Sequence, residues 1–181
     1  EIETDYTQFP KANIILVTHE HHDHFDPQAI QILKTKSSTI YTNPAVHAML
    51  GYGHTMKNGD KVQYADDITI EAVPAYNTTP GRGQFHPKRR DNGYILTLDG
   101  LRIYIAGDTE DIPEMAKLKN IDIAFLPCNQ PYTMTIDQAV NAAKIIKPDV
   151  LFPYHYNDTP VNKITLQLYK EGIKVLVRNY Q

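Results

Sequence analysis

Thr18-His19-Glu20-His21-His22-Asp23-His24 follows directly on the apolar run Asn13-Ile14-Ile15-Leu16-Val17. Positions 19 to 24 bring three imidazoles and a carboxylate, those of His19, His21, Asp23 and His24, into one short loop. A strand end holds the backbone rigidly, and the loop beyond it can fold several side chains toward one point. Neutral imidazole nitrogens and carboxylate oxygens are the donors that a borderline divalent metal such as zinc prefers. The plain alternatives are a solvated polar loop or a metal-scavenging tract, but no wider His-rich bias surrounds the segment. His19 and His21 can converge on one ion from a tight turn. Asp23 and His24 reach a second point nearby, so the loop is the seed of a two-metal site that needs further ligands from elsewhere.

Three later positions fit that need. His86 lies in the loop Pro80-Gly-Arg-Gly-Gln-Phe-His-Pro-Lys-Arg-Arg90, Asp108 follows the strand-like Leu101-Arg-Ile-Tyr-Ile-Ala106, and His155 follows Val150-Leu-Phe-Pro-Tyr154. Taken singly each has an ordinary reading: a loop histidine, an aspartate capping a turn, a partly buried histidine among aromatics. Taken with the first loop they form a complete ligand set, two of them at the C-terminal ends of apolar runs.

The order His-x-His-x-Asp-His, a lone His, Gly-Asp-Thr and a late His after an apolar strand resembles the metallo-β-lactamase superfamily. Phe85-His-Pro-Lys88, Ile103-Tyr-Ile-Ala-Gly-Asp-Thr109, Phe125-Leu-Pro127, Tyr132-Thr-Met134 and Pro153-Tyr-His155 resemble its branch of small metal-dependent hydrolases, relatives of the L-ascorbate-6-phosphate lactonases. The resemblance implies one metal held by His19, His21 and His86, a second held by Asp23, His24 and His155, and Asp108 bridging them. It also implies an αβ/βα four-layer sandwich. Family members carry two or more strands, with a Gly-His and an Asp-Pro, before the His-rich loop. This chain opens at Glu1 without them, so a sandwich lacking those first strands is expected.

Composition agrees with one ordinary α/β domain over 1–181. The hydrophobic share is 41% and the charged share 22%, which excludes wholesale disorder. No apolar run approaches the roughly 20 residues of a membrane span, and no leader is visible. A cytoplasmic location is expected, with export left open by the start of the chain. The single cysteine, Cys128, excludes an internal disulfide and reads as a buried, inert thiol. A net charge of −3 argues against a nucleic-acid footprint.

Strand-like runs are expected at 13–18, 39–42, 61–64, 67–75, 93–98, 101–106, 121–126, 149–153 and 173–177. Asp99-Gly100 is a strong hairpin signal. Helices are expected at 27–35, capped by Asp26 with Pro27 first, then at 44–50, 112–118, 135–147 and 161–171. Thr135 and Gln138 form a capping box, and Gly172 suits the last C-terminal stop. The order suggests hairpins early, then helix–strand alternation. His22 is expected to point away from the metals, His47 to pack or face solvent, and His54 to lie in a loop.

The ligand set dictates the chemistry. Two divalent ions about 3.5–4 Å apart share a bridging water and lower its pKa toward ~7. The cofactors expected are therefore two divalent ions, zinc or alternatively manganese. Asp23 and Asp108 are the catalytic candidates, Asp23 orienting the water or accepting its proton as it ligates. Lys88 is the candidate for holding a substrate phosphate or carboxylate, against a plain solvated loop tip. Tyr132, Tyr154 and Tyr156 are candidate donors to a leaving group or oxyanion, although with 12 tyrosines in the chain packing is the ordinary role. The expected activity is cleavage of a small, possibly anionic, ester, lactone or phosphoester. The rivals are a nuclease of the ribonuclease Z or J type, which would need a basic arm, and a metal-stabilised regulatory domain without turnover. A di-iron redox role ranks lower because His21 stands where a Glu is usual.

Overall fold

The computed structural model describes residues 4–179. The chain first builds a parallel β-α-β-α-β unit, not a hairpin as expected: β1 (Ala12–Val17), α1 (Pro27–Leu33), β2 (Lys34–Thr42), α2 (Pro44–Leu50) and the two-residue β3 (His54–Thr55). These strands form a three-stranded sheet in the order β1-β2-β3. The hairpins come next, with β4 (Lys61–Ala65), β5 (Ile68–Ala75), β6 (Asp91–Leu98) and β7 (Leu101–Ile105) each antiparallel to the strand before it in the run. Then β8 (Ile123–Pro127), α3 (Ile136–Ile146), β9 (Val150–Tyr154), α4 (Asn162–Leu168) and β10 (Lys174–Val175) extend that sheet in parallel. The second sheet has seven strands, in the order β10-β9-β8-β7-β6-β5-β4.

Side-chain alternation decides which faces meet. In the small sheet Ile14, Leu16 and Tyr41 point one way and pack with Met56, Ile70, Ala72 and Tyr94, which joins the two sheets face to face. Val17 and Ile40 point the other way, onto Phe25, Ile30 of α1 and Val46 of α2. On the far face of the large sheet, Ile95, Tyr104, Ala124 and Leu151 pack under Val140 and Ala143 of α3 and Ile164 and Leu168 of α4. Helices, sheet, sheet and helices stack as four layers. The αβ/βα sandwich is the fold.

Local signals hold where backbone chemistry dictates them. Asp26 accepts from the amides of Gln28 and Ala29 at 2.8 and 3.1 Å with Pro27 in the first turn. Thr135 and Gln138 close a reciprocal capping box. Asp99 and Gly100 both have positive φ, +48° and +84°, as a type I′ hairpin turn requires. Gly172, at φ +76°, stops the last helical segment. Cys128 is fully buried, and burial pushes its thiol up to about 11.

Several assignments differ from expectation. The helix expected over 27–35 ends at Leu33, and β2 begins at Lys34, which pairs with Ala12 of β1; regular pairing resumes at Thr39, and in the register shift between them Ser38 Oγ accepts from the Thr35 amide at 2.7 Å. The segment 112–118 makes a 3₁₀ helix over Pro113–Lys117, confined between the extended Ile112 and Leu118. The expected 161–171 helix is α4 followed by a 3₁₀ turn, Tyr169–Glu171. His54 lies on β3, beside the Tyr41 ring at 5.5 Å.

Candidate metal centre

Strand ends carry the site. The carbonyl of Thr18, just after β1, accepts from the amide of Asn92 on β6 at 3.1 Å. Gly107, just after β7, sits at φ +67°, and a Cβ there would lie 2.8 Å from the Asn92 carbonyl oxygen and 3.3 Å from Thr18 Cβ. Only glycine allows so close an approach in that conformation. Three strand ends are thereby pressed together, and His19, Asp91 and Asp108 hang from them. The loop after β1 closes back on itself through His24 and Phe25 amides donating to the His21 carbonyl at 2.9 and 2.8 Å.

Every residue singled out as a ligand reaches one cluster. His19, His21 and His86 offer donor atoms that lie within 4.8 Å of one another; so do His19, His24 and Asp108, and so do Asp23, His24 and His155. Asp108 Oδ1 stands 3.2 Å from His24 Nε2, and Asp108 Oδ2 stands 3.4 Å from His86 Nε2 and 3.7 Å from His155 Nε2. His155 Nε2 meets Asp23 Oδ2 at 2.9 Å. His155 itself holds φ +49°, a strained conformation for a residue with a side chain, and such strain gathers at functional sites.

Two observations fit a divalent ion rather than a web of ordinary hydrogen bonds. His24 Nε2 and Asp108 Oδ1 are close, yet both are buried without hydrogen-bond geometry, as is His19 Nε2. Atoms aimed at a shared point between them, rather than at each other, have that arrangement. Leaving such groups unsatisfied in the interior costs about 1–3 kcal/mol each, so an uncompensated cluster would be expensive. The second observation is orientation from behind. His86 Nδ1 pairs with Asp91 Oδ2 at 3.0 Å, and Thr18 Oγ1 with His19 Nδ1 at 2.9 Å, which leaves each Nε2 facing inward.

Electrostatics follow from burial and these neighbours. Burial holds the fully buried His19 imidazole neutral, down to about 3. Burial opposes charge on His24 as well, but Asp108 and Asp23 outweigh it and raise that group to about 9. The His155 contact holds the Asp23 carboxyl well below its ordinary range. Asp108 is also held low, burial being overcome by His24 and His86. Asp91 stays ionised because His86 and Arg90 outweigh its burial. Arg90 Nε donates to Asp91 Oδ1 at 2.7 Å, its NH1 pairs with Glu20 at 3.2 Å, and its NH2 donates to the Phe85 carbonyl at 2.9 Å.

The residues expected to face substrate divide. Tyr132 lines the recess above the cluster, a cleft of about 1080 Å³ that also involves Phe85, Asn129, Tyr156 and Asn157. Lys88 does not line it. Its ammonium goes to Glu114 at 3.3 Å and over the Tyr76 ring at 4.7 Å, and these partners raise its pKa. Tyr154 is spent inside the protein as well, its hydroxyl donating to the Gly107 carbonyl at 2.9 Å. Its role is to fix the turn that presents Asp108. His22 points outward, with its side chain 93% exposed.

Sequence reading passed over Asp91, Phe85, Asn129 and Glu110. Glu110 is fully buried, and its Oε2 accepts from the amides of Thr78 and Thr79 at 2.8 and 2.7 Å and from the Thr78 hydroxyl at 2.9 Å. It anchors the loop that carries His86. A carboxylate directly after Gly-Asp-Thr was the available signal, but Thr78 and Thr79 lie more than 30 positions upstream.

The chain belongs to the beta-lactamase superfamily: the pattern of the beta-lactamase superfamily domain matches residues 2–156. A UPF0173 metal-dependent hydrolase of Archaeoglobus fulgidus is 31% identical over 91% of this chain and 74% of that protein. The crystal structure of a candidate metal-dependent hydrolase from Parabacteroides distasonis superposes with a TM-score of 0.96 at 58% identity, covering 98% of this chain and 81% of the other. Igni18, a metallo hydrolase from the archaeon Ignicoccus hospitalis, follows at a TM-score of 0.75 and 26% identity, over 93% and 76% of the two chains. Divalent metal binding by the His/Asp cluster accords with that membership. No helix of the described residues is long and apolar enough to cross a membrane.

Proposed function

We propose that the chain is a dinuclear metal-dependent hydrolase, acting with zinc or manganese on a small ester, lactone or phosphoester. The observation that carries this reading is the position of Asp108, whose two carboxylate oxygens face His24 at 3.2 Å and His86 at 3.4 Å, ligands of two different groups. His19, His21 and His86 would hold one ion, Asp23, His24 and His155 the other, and Asp108 would touch both. Ions held there would activate water for attack on an electrophilic carbon or phosphorus and offset the charge developing on its oxygen.

The chain's own groups do the rest. Asp23, in contact with His155 and half exposed toward the recess, can orient the incoming water. Tyr132 stands in the same recess with its hydroxyl available to a leaving group. Hydrolysis consumes one water and releases an acid and an alcohol.

The experiment is hydrolysis of p-nitrophenyl esters and of bis(p-nitrophenyl) phosphate by metal-loaded protein, by protein treated with chelator and by His24→Ala. Metal-dependent cleavage that falls about a hundredfold or more in the variant is expected. Full activity without bound metal would contradict the reading.

A further inference from the structure

We propose that the recess above the metal cluster selects a substrate whose part away from the reacting group is uncharged and carries a flat ring, with Phe85 and Tyr132 gripping the ring and the Asn129 amide as a neutral hydrogen-bonding partner. The word substrate rests on the hydrolase reading above; the selectivity rests on how the recess is lined.

Charge comes first. Among the described residues, no lysine or arginine lines the recess. The loop that carries His86 holds four cations; three are matched with carboxylates, and the fourth, Arg89, is exposed and does not line the recess. Arg82 pairs with the buried Glu110 at 3.5 Å, Lys88 with Glu114 at 3.3 Å, and Arg90 with Asp91 and Glu20 at 2.7 and 3.2 Å. A phosphate or carboxylate tail is normally recognised by a guanidinium or ammonium fork. Here such a tail would meet amides, a threonine and aromatic rings. Only the reacting end of a ligand, next to the metals, would find positive charge.

Shape comes second. The Phe85 and Tyr132 rings stand 5.0 Å apart at 75°, edge to face, and form one wall of the recess, Phe85 immediately preceding His86 in sequence. The wall is held from behind: Asn77 Nδ2 donates to the Tyr132 carbonyl at 2.7 Å, and Arg90 NH2 donates to the Phe85 carbonyl. Tyr132 remains 46% exposed, a large aromatic surface kept in place without being buried. A ring laid against that wall would cover it. Asn129 is fixed through its backbone, whose amide donates to Thr133 Oγ1 at 2.7 Å and whose carbonyl accepts from the Thr133 amide at 2.8 Å. Its side-chain amide makes no hydrogen bond with the described residues and lines the recess.

The test uses hydroxamic acids as probes, because they chelate a metal and need no turnover. Acetohydroxamic, benzohydroxamic and 4-carboxybenzohydroxamic acids are titrated by calorimetry into zinc-loaded protein, Phe85→Ala, Tyr132→Ala and Tyr132→Phe. Benzohydroxamate should bind about tenfold more tightly than acetohydroxamate, and the added carboxylate should cancel that gain. The benzo-to-aceto ratio should fall toward one in Phe85→Ala and Tyr132→Ala and persist in Tyr132→Phe, with melting temperatures confirming that each variant is folded. Equal binding of the first two probes, or tightest binding of the carboxylated one, overturns the proposal. Ring preference in a protein that hydrolyses neither esters nor phosphodiesters would leave the proposed recess standing and remove the hydrolase. Ester hydrolysis without ring preference would do the reverse.

Discussion

His155 Nε2 lies 2.9 Å from Asp23 Oδ2, joining the end of β9 to the loop after β1 across 132 positions of chain. The contact ties the second half of the large sheet to the small sheet at the point where the candidate ligands gather. Each strand end contributes donors, and none of the three-residue groups is complete within one loop apart from its partners on others. Formation of the site therefore requires the sandwich to be closed. Metal binding and folding should be strongly linked.

Asp91 is the first place to test orientation of the ligands. It is buried, touches His86 Nδ1 at 3.0 Å and makes no direct contact with the centre of the cluster. Asp91→Ala is expected to weaken metal affinity about 10- to 100-fold, as loss of a carboxylate behind a ligating imidazole generally does. Competition against a chromogenic chelator measures it. An unchanged affinity in a folded variant would show that His86 needs no such support.

Gly107 tests the packing of strand ends. In Gly107→Ala the new methyl carbon would sit 2.8 Å from the Asn92 carbonyl, at a φ of +67°. The left-handed conformation alone costs about 1–2 kcal/mol, and the overlap adds to it. The expected outcome is a lower melting temperature together with weakened metal binding, because Asp108 is the next residue. A variant with native stability and native affinity would contradict the packing described.

Glu110 makes the same kind of claim for the loop that carries His86. Glu110→Ala leaves the Thr78 and Thr79 amides without their acceptor, at a cost of about 1–3 kcal/mol. Limited trypsin digestion should then cut at Arg82 or Arg89 faster than in the parent. Equal digestion rates would show that the loop is held by other contacts.

The dependence on pH has a definite sign. His24 in the metal-free fold is raised from 6.5 to about 9, so its contribution to stability is fully present below pH 6.5 and is lost as pH rises through about 9. His86 is raised too and acts in the same direction. His19, lowered to about 3, adds nothing to the slope in this window, since its contribution is complete above pH 6.5. Metal binding must displace the His24 proton and so strengthens with pH. The difference in melting temperature between zinc-loaded and chelator-treated protein should widen from pH 6.5 to 9. A difference that narrows would contradict the assignment of His24 as a ligand.

The clustered His and Asp residues were legible because imidazole and carboxylate declare their chemistry wherever they stand, and apolar runs mark the strand ends that present them. The helix caps were legible because Asp26, Thr135 and Gly172 act on backbone within three or so positions of themselves. What was not legible depended on partners far along the chain. Lys88 lies beside His86 in sequence, yet Glu114 and the Tyr76 ring turn it away. Tyr154 precedes His155, yet its hydroxyl reaches back 47 positions to Gly107. The start of β2 carries no apolar alternation, and its place in the strand rests on the pairing of Lys34 with Ala12 and of Thr39 with Ile14 on either side of a register shift. Nothing local announces such contacts.

The count of metal ions per chain tests the central claim most directly. Protein equilibrated with excess zinc, desalted and analysed by plasma mass spectrometry should hold two ions per chain, and His24→Ala should hold fewer. One ion per chain in the parent protein, or none, would contradict a dinuclear centre.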